Sequence, residues 1–485
     1  MMRSSWPALA LVIAACSFNP QGEIDGGGGD PDAATGDPDA AAGDPDAPMA
    51  IDAPVAIDGP PCTPSCNGDM LMTCGGMPPE TCPAGCGTTG GAHCLVFQPS
   101  NGVPTAAAIA STVDLAIASG RLVVFNTDDG SITSYDHANA DPMVIRGAGT
   151  GVIAQIDFTP RTQTGAPEMG VWSLRTLSLP DANAWVGFRG ARVAAVVAAG
   201  PITVRGWIDV SGGQDLAGAT CTSCPGAGGG LGGTLNAAAS GCAPGGAGNY
   251  STTAWETGGA GGGMATMGAS GGASVIAGGA PASIATCSGP SLVPLAGGGG
   301  GGRGATSGGS GAANGGGGGG GLQLTSLVSI VVDGADAEVF SGGVGGDGIS
   351  TAWGGGGGGA GGALLLEAPS VTLANGAAVT ANGGGGGAGH LANDGEFGRN
   401  DTQHAAGGVG DGINNDNGRG GVGGVTAVPA DVVGLPSNGR GGGDGTGGGG
   451  GAAGRVRLNT REGRTPMTTG AVLSPAASIG TRVAQ

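Results

Sequence analysis

The chain has 485 residues, of which 115 are glycine and 30 proline, and its 36 acidic residues against 17 basic ones leave a formal net charge of −19. Every basic residue is an arginine, and a surface this acidic repels phosphate backbones, which excludes nucleic acid as a partner. Glycine and proline together reach the level at which disorder is the default, so arrangement rather than composition must reveal a fold.

The N-terminus reads Met1-Met2-Arg3, then an apolar run over residues 6–13, then Ile13-Ala14-Ala15-Cys16. A positive start, a short apolar stretch and small residues before a cleavage point are the parts of a signal peptide. The run is too short to span a bilayer, and no later stretch approaches the roughly 20 consecutive apolar residues of a membrane helix. Ile-Ala-Ala-Cys resembles a bacterial lipobox, which implies that residues 1–15 are removed and that Cys16 is acylated. Several acyl chains at about 0.8 kcal/mol per buried methylene make such attachment permanent. Ser17 in place of Asp follows the sorting pattern of outer-membrane lipoproteins. The expectation is an exported chain attached to the outer membrane or cell surface through a lipid.

Residues 16–61 read as an acidic disordered tether. From position 17 onward they hold Glu23 and nine aspartates with no Lys or Arg, and Asp-Pro-Asp recurs at Asp30, Asp37 and Asp44. Such a segment cannot offset its ordering entropy by burial, and its charges extend it. A calcium-binding reading lacks the glycine turns and bidentate glutamate of known loops. Residues 62–94 follow as a small module with Cys62, Cys66, Cys74, Cys82, Cys86 and Cys94, two copies of C-x3-C-x7-C offset by twenty residues. A segment with so few large apolar groups needs staples, and in an oxidising compartment these are disulfides. Fifteen connectivities are open, and the spacing does not choose among them. Zinc, with His93 as a nitrogen ligand, is the alternative.

Residues 95–185 form a β-rich lead-in. Leu122-Val123-Val124-Phe125, the turn Asn126-Thr127-Asp128-Asp129-Gly130 and Ser131-Ile132-Thr133-Ser134-Tyr135 predict a hairpin. Val152 through Phe158 and Gly170 through Leu174 read as further strands, and residues 105–117 are ambiguous between helix and strand.

Residues 186–475 repeat a module of strand, turn, strand, glycine turn and strand, followed by a long glycine-rich excursion. Ile202-Thr203-Val204 with Trp207-Ile208-Asp209 is echoed by Ile330-Val331-Val332 with Val339-Phe340, and by Val371-Thr372-Leu373 with Val379-Thr380. Each copy follows an apolar strand, at residues 193–197, 322–327 and 363–366, and a degenerate copy starts at Arg455-Val456-Arg457-Leu458. Residues 476–485 are left as a C-terminal tail. Short strands that cannot bury a face alone, repeated in register, predict an all-β fold, a stacked solenoid like a parallel β-helix. The glycine runs, at 226–233, 297–321, 354–362, 383–389 and 439–454, read either as flexible linkers or as polyglycine II layers, extended strands with three residues per turn. Their placement between strand modules favours order.

The stretch Gly-Gly-Ala363-Leu364-Leu365-Leu366-Glu367-Ala368-Pro369 and the closing Gly-Ala452-Ala453-Gly454-Arg455-Val456-Arg457-Leu458 resemble large glycine-rich (PGRS-like) bacterial surface lipoproteins. The resemblance covers about 290 residues from Gly187 onward. It implies a surface β domain and brings no catalytic residues.

Chemistry-bearing motifs are sparse. Gly342-Gly343-Val344-Gly345-Gly346-Asp347-Gly348-Ile349-Ser350 fits a calcium-binding nonapeptide, with a shortened echo at Asp411, but tandem copies are missing. Asp347 and Asp411 are therefore weak calcium candidates, followed by the acidic stretch at 393–417. Cys221, Cys224, Cys242 and Cys287 read as two loop-stapling disulfides rather than a zinc site. Asp333, Asp336, Glu338 and Glu367 are the acids on predicted strands, the raw material for a glycosidase-like carboxylate pair. The chain has no lysine to act as base and no G-x-S-x-G elbow. The expectation is a non-catalytic structural or adhesive lipoprotein with no cofactor, binding surface glycans, other cells or itself. An extracellular carbohydrate-active enzyme on a β-helix scaffold is the alternative.

Overall fold

The computed structural model describes residues 62–485 apart from 137–140, 215–219, 252–255, 307–311, 350–352, 391–392, 411–417 and 426–444. The expected signal peptide and tether, Cys16 and Asp411 therefore lie outside the described residues. Residues 61–485 form one compact unit that is nearly all β.

Three sheets are laid down by a chain that visits them in the same order on every pass. The pass through Val193–Ala198, Ile202–Val204 and Trp207–Asp209 is followed by Gly321–Ser326, Ser329–Asp333 and Glu338–Phe340, then by Ala363–Glu367, Ser370–Ala374 and Ala378–Thr380. Strands from successive passes pair in parallel on each sheet. The register stacks like on like: Val196, Leu324, Leu366 and Leu458 align on the first sheet, and Ile202, Ile330 and Val371 on the second. The third sheet aligns Ile208, Val339 and Val379. The inward-facing residues of all three sheets belong to one buried apolar cluster. That is why no strand folds alone: each closes its apolar face only against the other two sheets and the next pass.

The first sheet is covered on both sides. Ala194, Val196 and Ala198 face the common core, whereas Val193, Ala195 and Val197 join a second cluster with Val103, Ala108, Leu292 and Leu295. Burial on both faces explains why its strands read as continuous apolar runs instead of alternating.

Several boundaries differ from the sequence expectation. The lead-in and the repeat are not separate bodies, because Ala166–Leu174, Thr176–Leu179 and Ala184–Arg189 make an earlier pass through the same three sheets. The tail contributes Ser478–Arg482, which pairs in parallel with Arg455–Arg461. Residues 105–117 resolve into a five-residue helix, Ala106–Ala110, and a strand, Asp114–Ala116. Val152 through Phe158 is not one strand but a hairpin of Gly151–Ile153 and Ile156–Gln163, reversed at Ala154 and Gln155 with φ of 49° and 64°. Neither residue type announces a left-handed turn, so the apolar pattern ran straight through it. The predicted hairpin at Arg121–Asn126 and Ile132–Asp136 is present. Beside it Arg146 is fully buried, and its guanidinium donates to the carbonyls of Gly130, Gly147, Gly149, Gly151 and Ile156 while lying over the Phe158 ring.

The described glycine runs are buried and hydrogen-bonded with a period of three. Amides of Gly355, Gly358 and Gly361 donate to Thr446, Gly449 and Ala452; those of Gly356, Gly359 and Gly362 donate to Asp347, Val344 and Ser341; those of Gly354, Gly357 and Ala360 donate to Ala305, Gly302 and Gly299, all at 2.8–3.2 Å. Carbonyls of the same run accept from Gly259 and Gly262, from Gly316 and Gly319, and from Gly384 and Gly387. One extended strand thus has six neighbours, three that accept from it and three that donate to it. Such contact leaves no room for a side chain: a Cβ on Gly357 would lie 2.0 Å from the Ala260 carbonyl oxygen, and one on Gly317 2.2 Å from that of Cys224.

Candidate interaction faces

The ten described cysteines are all paired. Cys62 bonds Cys74 and Cys82 bonds Cys94, the equivalent first and third cysteines of the two copies, while the middle cysteines Cys66 and Cys86 join the copies. Cys221 bonds Cys224, and Cys242 bonds Cys287 across 45 residues. Thiols committed to disulfides ligate no metal, which removes both zinc readings. Asp69 fastens the module to the last pass through Arg461 and Arg464, and the Arg461 hydrogen bond holds its carboxyl below the usual range.

The strand carboxylates do not converge. Asp333 stands on the second sheet, bonded by Asn375 Nδ2 at 2.6 Å, with Arg205 at 3.7 Å. Glu338 stands on the third, only 8% exposed, and accepts from Asn400 Nδ2 at 2.7 Å. Burial pushes the Glu338 carboxyl up, nearby Asp336 adds to this, and the Asn400 bond opposes it. Glu367 stands on the first sheet, fully buried, and accepts from Ser100 N and Oγ, Gln323 Nε2 and Asn459 Nδ2. Four donors satisfy its oxygens without a cation. The cluster clamps residue 100 of the lead-in onto three successive passes. Asp333, Glu338 and Glu367 share no hydrogen-bond partner, and Asp336, expected on a strand, lies instead in the turn before Glu338, within electrostatic reach of it.

Asp347 accepts from Asn314 Nδ2 at 2.8 Å, and Gly348 N donates to Asp394 at 2.8 Å. Burial raises the Asp394 carboxyl, and Asp347 adds to it. Both carboxylates thus tie one glycine strand to the next. Among the described residues no group of three or more His, Cys, Asp or Glu is placed to hold a metal ion.

The one aromatic column that sequence reading missed lies on the third sheet, where parallel register places Trp185 beside Trp207. Their rings stack at 5.3 Å with planes 13° apart, and Phe340 meets Trp207 edge-on at 6.0 Å. One face of each tryptophan is given to the other, and Trp185 stays partly exposed. Its signal was in the sequence as aromatic residues at equivalent positions of consecutive modules.

Exposed apolar residues stand on strands that end the sheets, as they do on loops such as those of Val275 and Val409. Met143–Arg146 closes the third sheet and Gly151–Ile153 the first at one end, with Val472–Ser474 and Ser478–Arg482 in the same places at the other. Val144 is 66% exposed, Val152 70%, Ile479 49% and Met467 55%. Among the described residues no helix is long and apolar enough to cross a membrane. No known family, curated protein or solved structure matches the chain.

Proposed function

We propose that this chain is an exported surface lipoprotein with a structural or adhesive, non-catalytic role. Cys16 carries the lipid, residues 17–61 are the tether, and residues 62–485 are a rigid body displayed on it. The stacked passes are read as a three-sided parallel β-helix, and the glycine runs as a polyglycine II bundle flanking it. The observation that carries this reading is the six-neighbour glycine array, because it commits long stretches of chain to close, rigid packing of backbone against backbone. Glycine has the most entropy to lose on ordering, so an array of this size makes sense where stiffness and a broad flank are themselves the product.

Detergent-phase partitioning with protease shaving of intact cells tests the proposal. Wild-type protein should enter the detergent phase, and external protease should cut first in the tether and release a resistant fragment from about Cys62 onward. The Cys16→Ser chain should leave the detergent phase. A variant that stays membrane-bound, or wild-type protein shielded from protease, would overturn the anchoring and the surface display respectively.

A further inference from the structure

We infer that the body docks head-to-tail onto a second copy of this chain through the two ends of its sheets. This goes beyond the proposed role and does not require the lipid. The first observation is strand direction. On the third sheet Ile132–Asp136 runs antiparallel to Arg121–Asn126, and Met143–Arg146 runs antiparallel again, so the outermost strand regains the direction of the parallel passes. On the first sheet Ile156–Gln163 and Gly151–Ile153 do the same beyond Ala166–Leu174. At the opposite end the outermost strands, Val472–Ser474 and Ser478–Arg482, are themselves parallel additions. Each end thus presents, on the same two sheets, an edge strand of the same direction. One copy can continue the ladder of the next, as in strand addition.

The second observation is charge. Residues 112–163, which form the leading end, hold six aspartates and three arginines, one of them the buried Arg146. Residues 455–485, which form the trailing end, hold five arginines and one glutamate in a chain of net charge −19. Asp69 engages Arg461 and Arg464, whereas among the described residues no carboxylate pairs with Arg455, Arg457 or Arg482. Opposite ends attract and like ends repel, which selects head-to-tail over head-to-head contact. The third is an exposed apolar residue on three of the four terminal strands, Val144 and Val152 at the head and Ile479 at the tail. A head-to-tail contact does not close on itself with two copies, so it propagates.

The test uses the chain from Ser17, without lipid, in sedimentation equilibrium from low micromolar to submillimolar concentration. Wild type should at least double its weight-average mass over this range at low salt and lose most of the gain at high salt. Val152→Lys places a cation at the head, and Ile479→Glu an anion at the tail; each alone should stay monomeric with an unchanged melting temperature. Mixed in equal amounts they should associate, because the intact tail of the first variant meets the intact head of the second. Monomeric wild type at low salt overturns the inference. Association of either variant alone overturns it too, since that requires an interface between like ends or elsewhere.

Discussion

Gly357→Ala isolates what the glycine array contributes, because the change adds one methyl group and no polarity. The added Cβ would stand 2.0 Å from the Ala260 carbonyl oxygen and 2.4 Å from its carbon, so the neighbouring strand must retreat by about 1 Å or more to reach contact distance. That strand is fixed by Ala260 N donating to Gly246 O at 2.8 Å and by Ala260 O accepting from Gly302 N at 2.7 Å, while Gly357 N itself donates to Gly302 O at 2.8 Å. Shifting these bonds by that amount breaks them, and each buried group left unpaired costs about 1–3 kcal/mol. Three such groups make the expected loss about 3 kcal/mol at the least. With an unfolding entropy of about 2 cal/mol/K per residue, the melting temperature should fall by about 3 °C or more. Gly289→Ala is the control, because a Cβ there meets nothing within 4 Å; it should change the melting temperature by less than about 1 °C. Differential scanning calorimetry on both variants decides the matter. If Gly357→Ala melts together with Gly289→Ala, the glycine runs yield freely and their close packing contributes no stability.

Two further outcomes follow from the buried acids. Glu367→Gln replaces an acceptor of four hydrogen bonds with a group that carries two N–H donors of its own, facing Ser100, Gln323 and Asn459. It should destabilise the body by about 2–4 kcal/mol, and protease should cut near residue 100 faster than in wild type. Glu338 has a folded-state pKa raised by burial, so the folded state holds its proton at pH values where the unfolded chain has released it. Its carboxylate therefore weakens folding at neutral pH, and the deficit fades as pH falls through the raised folded value toward the unfolded one near 4.5. Glu338→Gln, which keeps an acceptor for Asn400 Nδ2, should raise the melting temperature at pH 7 and leave it unchanged at pH 4; an equal shift at both values would refute the argument.

Much of the core was legible because its signal is local and repeated. Ile202, Ile330 and Val371 stand at equivalent positions of consecutive modules, and the structure stacks them in register. The module boundaries were less legible where a turn lacked its usual residues, as at Ala154 and Gln155. The candidate interaction faces were the least legible. Asp333, Glu338 and Glu367 look alike in the sequence as acids on strands, yet the fold sends them to three different sheets with unrelated partners.

By itself the sequence determined the all-β character, the repeat, the number of staples and the order of modules, since each depends on residue type and spacing within a few tens of residues. The duplicated C-x3-C-x7-C spacing required disulfides, but only the folded module brought Cys66 to Cys86 while each copy closed Cys62 to Cys74 or Cys82 to Cys94. Glycine runs carry no side-chain pattern that could name their neighbours. Their partners were decided by the β passes, which anchor each run at its base and bring Gly355 beside Thr446 and Gly302 beside Gly357, so that peptide groups far apart in the chain satisfy one another.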